Sequence, residues 1–252
     1  MPTARRSTTR FGIDIGGTGI KGAPVDAGAG RLLEARERLK TPSPATPEAV
    51  GDVVAEIVGS FGWDGPVGCT FPGVVKRGVT LTAANLGPKL WTDVDADALL
   101  TERLGRSVHL INDADAAGIA EARFGAAQGV DGVAVVVTIG TGLGTAVLVD
   151  GTLVPNTELG HLVLHGKDAE TIASERARID KDMSWKDWAE KFDAYLALLE
   201  AYLNPDRIVL GGGGAKKADR FLPLLHRSCE VVVATLGNDA GIVGAAMIAE
   251  DT

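Results

Sequence analysis

The sequence predicts an α/β protein of two similar lobes with a cleft between them, and two observations lead to this fold class. The first is a repeat: residues 14–22 read DIGGTGIKG, and residues 138–146 read TIGTGLGTA. In both copies an apolar strand leads into a tight glycine turn, and a second apolar strand follows. The second observation is that strand-like and helix-like segments alternate after each copy, which is the order of elements in an α/β fold.

Two lobes of moderate size fit a chain of 252 residues. We expect an N-terminal small lobe over residues 1–113 and a C-terminal large lobe over residues 114–238. Residues 239–252 are expected to form a closing helix that returns to the N-terminal lobe. The first ten residues are polar and basic, and we expect them to be frayed.

Local patterns predict the elements of the first half. The predicted strands cover residues 10–14, 21–25, 32–38, 67–71 and 107–111. A helix is predicted to begin after Thr46, because threonine is a favoured N-cap and the Pro47 that follows suits the first helical position. Apolar residues from Val50 to Phe61 then keep helical spacing on one face. A second helix is predicted over residues 112–124.

The second half repeats the pattern. Residues 133–139 are almost wholly apolar and β-branched, as in a strand covered on both faces. Further strands are predicted over 145–149 and 207–210, and a helix over 239–249. Ser184 is expected to cap a long amphipathic helix rich in aromatic residues, which Asn204 and Pro205 end. Its apolar stripe is suited either to a subunit interface or to the core of the chain.

Composition excludes several classes of protein. A net charge of −8 argues against a general nucleic-acid or membrane-surface binder. No stretch approaches the roughly 20 apolar residues of a membrane span, and no apolar signal segment follows the N-terminus. Cys69 and Cys229 lie far apart without CxxC spacing, which favours buried, reduced thiols. We therefore expect a cytoplasmic protein that binds neither nucleic acid nor membrane.

The two glycine turns are candidate phosphate sites. Glycine accepts positive φ and leaves room for close approach, so backbone N–H groups can converge on an anion. Asp14, at the end of the first strand, could hold a hydrated Mg²⁺ beside the phosphates, or it could cap the turn through its own backbone. Lys21 could contact a phosphate or be solvated. Two such turns, half a chain apart, indicate a phosphotransferase.

Asn112 and Asp113 follow the strand at 107–111, and two interpretations of them are open. Asparagine is a favoured N-cap, and an acid in the first turn suits the helix dipole. Alternatively, Asp113 could accept a proton from a sugar hydroxyl as that oxygen attacks a phosphoryl group, with Asn112 holding a neighbouring hydroxyl. The two interpretations are compatible.

Three other features are less specific. Glu158 and His161 would ordinarily be surface residues, and a zinc site at His161 would need nearby cysteines, which residues 162–178 do not contain. Residues 211–214 are four glycines that could let a base or a phosphate chain lie against bare backbone, or could form a turn that needs one positive φ. The basic residues of the next helix could be solvated or line an anion path; they are Lys216, Lys217 and Arg220.

Taken together, these segments resemble the ROK family of sugar kinases, in the sugar kinase/actin superfamily. The matching segments occur in the family's order at residues 14–18, 71–73, 85–86, 91, 112–114, 140–144, 158–161 and 211–213. The resemblance implies two ribonuclease-H-like lobes. It also implies that Asp113 is the base on the 6-hydroxyl of the sugar. The implied sugar-binding residues are Asn85, Asn112, Glu158 and His161, with Gly73 beside them.

The resemblance further implies which residues hold the donor. The phosphates and metal would be held by Asp14, Gly16, Gly17, Thr18, Thr141 and Gly142. We add as candidate donor-binding residues Gly19, Lys21, Gly144, Gly212, Gly213 and Lys216. Asp14 is the candidate Mg²⁺ contact.

One departure from the family is informative. Most ROK members carry a zinc-binding cysteine cluster after the Glu-x-Gly-His element, and that cluster is missing here, so no zinc site is expected. The short length and residues 85–89 (NLGPK) resemble the family's polyphosphate glucokinases, which phosphorylate glucose from polyphosphate and often from ATP. We therefore expect glucose as acceptor, polyphosphate or ATP as donor, Mg²⁺ as cofactor and a homodimer.

Three rival functions are compatible with parts of this sequence. The nearest is a strictly ATP-dependent glucokinase or another hexose kinase of the same family. A sugar-sensing repressor would need an N-terminal helix-turn-helix module, and about ten residues before the first strand are too few. A non-catalytic sugar-binding protein is disfavoured by the intact Asp113 and by both glycine turns.

Overall fold

The computed structural model describes residues 8–249, and the chain divides into two compact units. Unit 1 comprises Met1–Ala116 and Gly241–Thr252, and unit 2 comprises Ala117–Ala240. The expectations for residues 1–7, and for residues 250–252 of the closing segment, lie outside the described residues.

The strands are β1 (Thr9–Ile15), β2 (Ile20–Asp26), β3 (Arg31–Leu32), β4 (Glu37–Leu39), β5 (Val67–Phe71), β6 (Val75–Lys76), β7 (Val79–Thr80), β8 (Val94–Asp95), β9 (Val108–Asn112), β10 (Val133–Ile139), β11 (Leu143–Val149), β12 (Thr152–Val154), β13 (Val163–Leu164), β14 (Lys167–Asp168), β15 (Arg207–Gly211) and β16 (Glu230–Val233). The α-helices are α1 (Pro47–Ser60), α2 (Pro88–Trp91), α3 (Ala96–Leu104), α4 (Asp113–Phe124), α5 (Glu170–Ala173), α6 (Glu175–Asp180), α7 (Trp185–Leu203) and α8 (Ala240–Met247). Short 3₁₀ helices cover Leu159–His161, Gly214–Arg220, Leu222–Leu224 and Gly237–Asp239.

The main sheet of unit 1 has the strand order β3-β2-β1-β5-β9, and β4 also pairs with β2. The β1–β2 pair is an antiparallel hairpin, whereas β1, β5 and β9 run parallel. The predicted N-cap of α1 is confirmed, since Thr46 Oγ1 accepts a hydrogen bond from Ala49 N at 3.2 Å. The apolar face of α1 packs with the sheet strands in one core, where Phe11, Ile13 and Ile57 are fully buried.

The main sheet of unit 2 repeats this plan with the order β12-β11-β10-β15-β16. Here β10–β11 is the antiparallel hairpin, and β10, β15 and β16 run parallel. Both hairpins therefore begin a sheet that continues with parallel strands, as the repeat in the sequence predicts.

Helix α7 resolves the choice that the sequence left open for its apolar stripe. Ser184 caps it, accepting from Asp187 N at 3.1 Å, and Asn204 ends it in the left-handed region at φ 45°. Trp188, Phe192 and Tyr195 are at most 1% exposed and belong to the core of unit 2. The stripe is therefore part of the chain's own core and not a subunit interface.

Two predicted elements need correction. The strand expected over residues 32–38 is split into β3 and β4, which pair with the same strand β2 through Val25↔Leu32 and Gly22↔Glu37. Between these two pairs, β2 covers three residue steps, from 25 to 22, whereas its partner covers five, from 32 to 37. The partner therefore has two extra residues, which bend out as in a bulge. The helix expected to carry Lys216 is the 3₁₀ segment Gly214–Arg220.

Within the described part of the chain, we find no helix with the length and apolar character that crossing a membrane requires.

Candidate active site

The first glycine turn joins β1 to β2 in unit 1. Ile15 pairs with Ile20, and Gly16 N donates to Gly19 O across the turn at 3.2 Å. None of its three glycines has a positive φ, so the expectation that they provide one is wrong. The other expected reason for glycine, close approach, holds at Gly17, because a Cβ there would lie 2.7 Å from the Cβ of Asn85. The candidate phosphate turn is thus packed directly on a candidate sugar-binding residue.

Asp14 and Lys21 form an ion pair beneath this turn. Lys21 Nζ lies 2.9 Å from Asp14 Oδ2, and Thr70 Oγ1 donates to Asp14 Oδ1 at 3.0 Å. The carboxylate therefore bonds to side chains and does not cap the turn through its own backbone. Lys21 is half-buried and paired, so it is not simply solvated.

The second glycine turn joins β10 to β11 in unit 2. Gly140 N donates to Gly142 O at 3.0 Å, and Thr141 is exposed. Leu143 N donates to Glu170 Oε2 at 3.1 Å, so a carboxylate from α5 fixes the end of the turn. Sequence reasoning missed Glu170, since nothing local connects it with a turn 27 residues earlier. Gly144 follows within β11, where it pairs with Thr138.

The glycine run after β15 packs against the same hairpin. Gly212 has the one positive φ of the run, 78°, and its Cβ would lie 2.7 Å from Ile139 N. A Cβ on Gly214 would lie 2.6 Å from Ile139 Cγ2. Turn geometry and packing thus account for these two glycines. Gly213 and Lys216 are exposed and remain candidate donor contacts.

Asn112 has the structural role that the sequence suggested. Its Oδ1 accepts from Ala114 N at 2.9 Å and from Asp115 N at 3.0 Å, at the start of α4. Its Nδ2 donates to Gly73 O at 3.1 Å, and the residue is 5% exposed. Asn112 therefore ties the Gly73 loop to the start of α4.

Asp113 is exposed at the first position of α4. Its Oδ1 accepts from Ala114 N at 2.8 Å. The helix thus presents a carboxylate next to the buried Asn112, at the carboxyl end of a parallel strand. Ligands of α/β sheets are commonly bound at this end of the strands.

Asn85 and Glu158 share an uncommon backbone conformation. Their φ angles are 63° and 42°, in the left-handed region that non-glycine residues seldom adopt. Such conformations concentrate at functional sites, where the surroundings hold them in place. In unit 2, Leu159 N donates to Thr145 Oγ1 at 2.9 Å, which ties the segment after Glu158 to β11.

Glu158, His161 and Asp168 form a cluster in unit 2. His161 Nδ1 lies 2.8 Å from Asp168 Oδ2, and its Nε2 lies 3.7 Å from Glu158 Oε2. The hydrogen bond with Asp168 raises the pKa of His161 above its ordinary value. Burial raises the pKa of the Glu158 carboxyl. Asp168 carries no motif of its own, and sequence reasoning missed it.

Among residues 8–249, no group of three or more histidine, cysteine, aspartate and glutamate side chains could hold a metal ion.

Comparison with known families matches the ROK family model to residues 10–177. The chain belongs to the ROK family. It is 48% identical to a polyphosphate glucokinase of Mycobacterium tuberculosis over 247 residues, which are 98% of this chain and 93% of that protein. The family assignment made from the ordered motifs is therefore confirmed.

Two solved structures extend the similarity to the fold. The inorganic polyphosphate/ATP-glucomannokinase from Arthrobacter sp. strain KM superposes with a TM-score of 0.92 at 49% identity, covering 95% of this chain and 97% of that one. A ROK family glucokinase from Streptomyces griseus, in complex with glucose and AMPPNP, superposes with a TM-score of 0.82 at 28% identity, covering 96% and 99%. The predicted sugar kinase fold is confirmed.

Proposed function

We propose that this chain is a glucokinase that transfers a phosphoryl group from inorganic polyphosphate, and also from ATP, to the 6-hydroxyl of glucose. One observation carries the proposal: near full-length similarity to a polyphosphate glucokinase. The similar Arthrobacter structure, whose name includes both donors, supports ATP as the second. The ordered sugar and phosphate motifs agree with this reaction.

Asp113 is the proposed general base. Its carboxylate accepts the proton of the 6-hydroxyl as O6 attacks the terminal phosphorus, and the bond from that phosphorus to the bridging oxygen breaks. Glucose 6-phosphate and a polyphosphate shortened by one unit result. Asn112 fixes the start of α4 and so the position of Asp113, with Asn85 and Gly73 as further sugar contacts in unit 1.

Glu158 and His161 are the proposed sugar contacts of unit 2. With Nδ1 bonded to Asp168, His161 has Nε2 left to bond a sugar hydroxyl. The distance of 3.7 Å from Nε2 to Glu158 Oε2 is too long for a hydrogen bond, so Glu158 does not occupy this nitrogen. Carboxylate and imidazole groups discriminate hydroxyl positions because unmatched partners would be left unpaired.

The glycine turn of each unit is a proposed contact of the donor phosphates. In unit 1 the contacts are Gly16, Gly17, Thr18 and Gly19, with Lys21 below them. In unit 2 the contacts are Thr141, Gly142 and Gly144, followed by Gly212, Gly213 and Lys216. Exposed Thr18 and Thr141 offer a hydroxyl and a backbone N–H to phosphate oxygens.

Mg²⁺ is the proposed cofactor, and Asp14 suits it. A single carboxylate, already shared with Lys21 and Thr70, fits a hydrated ion that takes its other oxygens from water and phosphate. When bound, the ion supplies positive charge to the donor phosphates. We propose no zinc site.

A donor comparison tests the proposed function. Purified protein is assayed with glucose and Mg²⁺ against long-chain polyphosphate and against ATP, with product identified as glucose 6-phosphate. We expect turnover with both donors, and polyphosphate turnover that falls steeply with salt. Turnover with ATP alone would replace the proposal by its nearest rival, a strictly ATP-dependent hexose kinase. No turnover with either donor would leave a sugar-sensing, non-enzymatic protein.

Mannose is a useful second acceptor, because the similar Arthrobacter protein is called a glucomannokinase. The homodimer and the cytoplasmic location expected from the sequence stay predictions, the first of which light scattering on the purified protein would test.

A further inference from the structure

A row of polar residues crosses four strands of the unit 1 sheet. The register pairs Thr70 of β5 with Asp14 of β1, Asp14 with Lys21 of β2, and Lys21 with Arg38 of β4. Residues directly opposite each other in a sheet point to the same face. The hydrogen bonds from Thr70 and Lys21 to Asp14 agree with this arrangement. Arg38 is therefore the last member of this polar row, and the row lies beside the first glycine turn.

Arg38 lies directly against that turn. Its Nη2 donates to Thr18 O at 3.2 Å. A Cβ on Gly19 would lie 2.6 Å from Nη2 and 2.7 Å from Cζ, so the guanidinium lies in the space beside the Gly19 backbone. The neighbour that lies closest to Gly19 is thus a cationic group.

The positive charge of Arg38 is balanced differently from that of Lys21. The Lys21 ammonium is balanced by the Asp14 carboxylate at 2.9 Å. Within residues 8–249, the acceptor of the Arg38 guanidinium is a neutral carbonyl, and the side chain is exposed. A guanidinium has five N–H donors in a planar fork, which matches two phosphate oxygens at once. In a chain of net charge −8, this positive charge at the turn is well placed for an anion.

We infer that Arg38 binds the phosphoryl groups of the anhydride donor at the first glycine turn. This inference rests on the proposed function, because it takes the turn to be the donor site. Arg38 acts as a binding contact and takes no proton in the reaction. Its role would be to hold the phosphate chain over Thr18 and Gly19.

Direct binding tests the inference with a matched control. Tripolyphosphate is titrated calorimetrically into the wild type, Arg38→Gln and Arg31→Gln. Arg31 is exposed in the same sheet, but it pairs with Asp26, five residues along β2 from the Lys21 that pairs with Arg38, and so lies about 17 Å along the strands from Arg38. We expect Arg38→Gln to weaken binding about five-fold and Arg31→Gln less than two-fold. A Kd for Arg38→Gln less than about three times that of Arg31→Gln overturns the inference.

Salt dependence separates a phosphate contact from mere support of the turn. Removing a contacting cation flattens the dependence of log Kd on log salt, since fewer counterions are exchanged. We expect a shallower slope for Arg38→Gln and a retained slope for Arg38→Lys. Weaker binding with an unchanged slope would mean that Arg38 only stabilises the conformation of the turn, and the inference would fail.

Turnover assays distinguish this inference from the proposed function. If the wild type phosphorylates glucose and Arg38→Gln keeps its kcat/KM for polyphosphate and ATP, only the inference fails. If the wild type has no turnover, the proposed function itself fails. A loss with both donors would assign Arg38 to the transferred end of the donor, and a loss with polyphosphate alone would assign it to the chain beyond.

Discussion

Asp168 holds the imidazole of His161, with Oδ2 lying 2.8 Å from Nδ1. The other carboxylate oxygen of Asp168 accepts from Glu170 N at 2.9 Å, which anchors the carboxylate to the backbone. The carboxylate of Glu170 in turn bonds Leu143 N at the second glycine turn. One short segment therefore links a candidate sugar contact to a candidate phosphate turn within unit 2.

The hydrogen bond between His161 and Asp168 predicts that the stability of the folded chain depends on pH. This hydrogen bond raises the pKa of His161 in the folded state above its unfolded value. The charges of Asp168, Glu170 and Glu158 add to the increase, although burial opposes it. The resulting stabilisation is complete below the unfolded pKa and is lost as pH rises through the folded pKa. We expect Asp168→Asn to lower the pKa of His161, as measured by NMR titration of its ring.

The control for this prediction is Asp180→Asn. Asp180 is an exposed carboxylate of unit 2 that pairs with Arg176 at 2.7 Å and should leave the titration of His161 unchanged. Asp168→Asn should also raise KM for glucose more than it lowers kcat, because His161 is a proposed sugar contact. An unaltered titration curve in Asp168→Asn would contradict the role given to this carboxylate.

Asp113→Asn tests the proposed base. Asparagine has nearly the same shape and can still accept from Ala114 N, so α4 should begin as before. We expect kcat to fall by about 10² to 10⁴, the usual contribution of general base catalysis. The Kd for glucose should change only a few-fold. Stopped kinetic assays and glucose titration measure the two quantities.

Asp64→Asn, an exposed carboxylate elsewhere in unit 1, is the matched control and should keep wild-type turnover. If Asp113→Asn kept more than about a tenth of the activity, the loss would be only about 1.4 kcal/mol, and Asp113 would not be the base.

Gly17→Ala tests the contact between the first glycine turn and Asn85. The added Cβ would lie 2.7 Å from the Cβ of Asn85, so one of the two loops must shift. We expect kcat/KM for glucose to fall by about ten-fold, since small displacements of positioning groups are costly. Steady-state kinetics at saturating donor measure the effect.

Gly59→Ala provides the comparison for this variant. Gly59 lies in α1, and its Cβ would have nothing within 4 Å. Alanine there should leave kcat/KM unchanged and stabilise the helix by up to about 1 kcal/mol. Equal kinetics for Gly17→Ala and Gly59→Ala would show that the turn tolerates movement at Asn85.

Sequence patterns predicted the elements whose signals are local. The β1–β2 and β10–β11 hairpins, the Thr46 cap and the buried strand β10 follow from glycine spacing, capping preference and apolar composition. The split between β3 and β4 was not predictable, because it depends on how the chain pairs with β2 and not on its own composition.

The candidate site was predicted only where residues belong to motifs. Asp168, Glu170 and Arg38 were missed because each reaches a motif through tertiary structure. Glu170 meets Leu143 across 27 residues, and Arg38 meets Thr18 across 20. Of the two reasons given for glycine in the first turn, positive φ is wrong, and close approach holds at Gly17, where a Cβ would lie 2.7 Å from the Cβ of Asn85.

Glu121 is a fully buried carboxylate of α4 that organises the segment after β16. Its Oε1 accepts from Leu236 N at 2.8 Å, and its Oε2 accepts from Ala126 N at 2.7 Å and from Thr235 N at 3.2 Å. Every one of these donors is a backbone N–H group that would otherwise need another acceptor.

Glu121→Gln should therefore be strongly destabilising. The new amide NH₂ cannot accept a hydrogen bond, so at least one backbone N–H loses its partner and faces another donor. We expect the free energy of unfolding to fall by about 2–3 kcal/mol, the scale of hydrogen bonds to a charged group. Urea unfolding followed by circular dichroism measures it. Glu56→Gln, on the exposed side of α1, should change it by less than about 0.5 kcal/mol. A similar small change in Glu121→Gln would mean that the loop after β16 holds its position without this carboxylate.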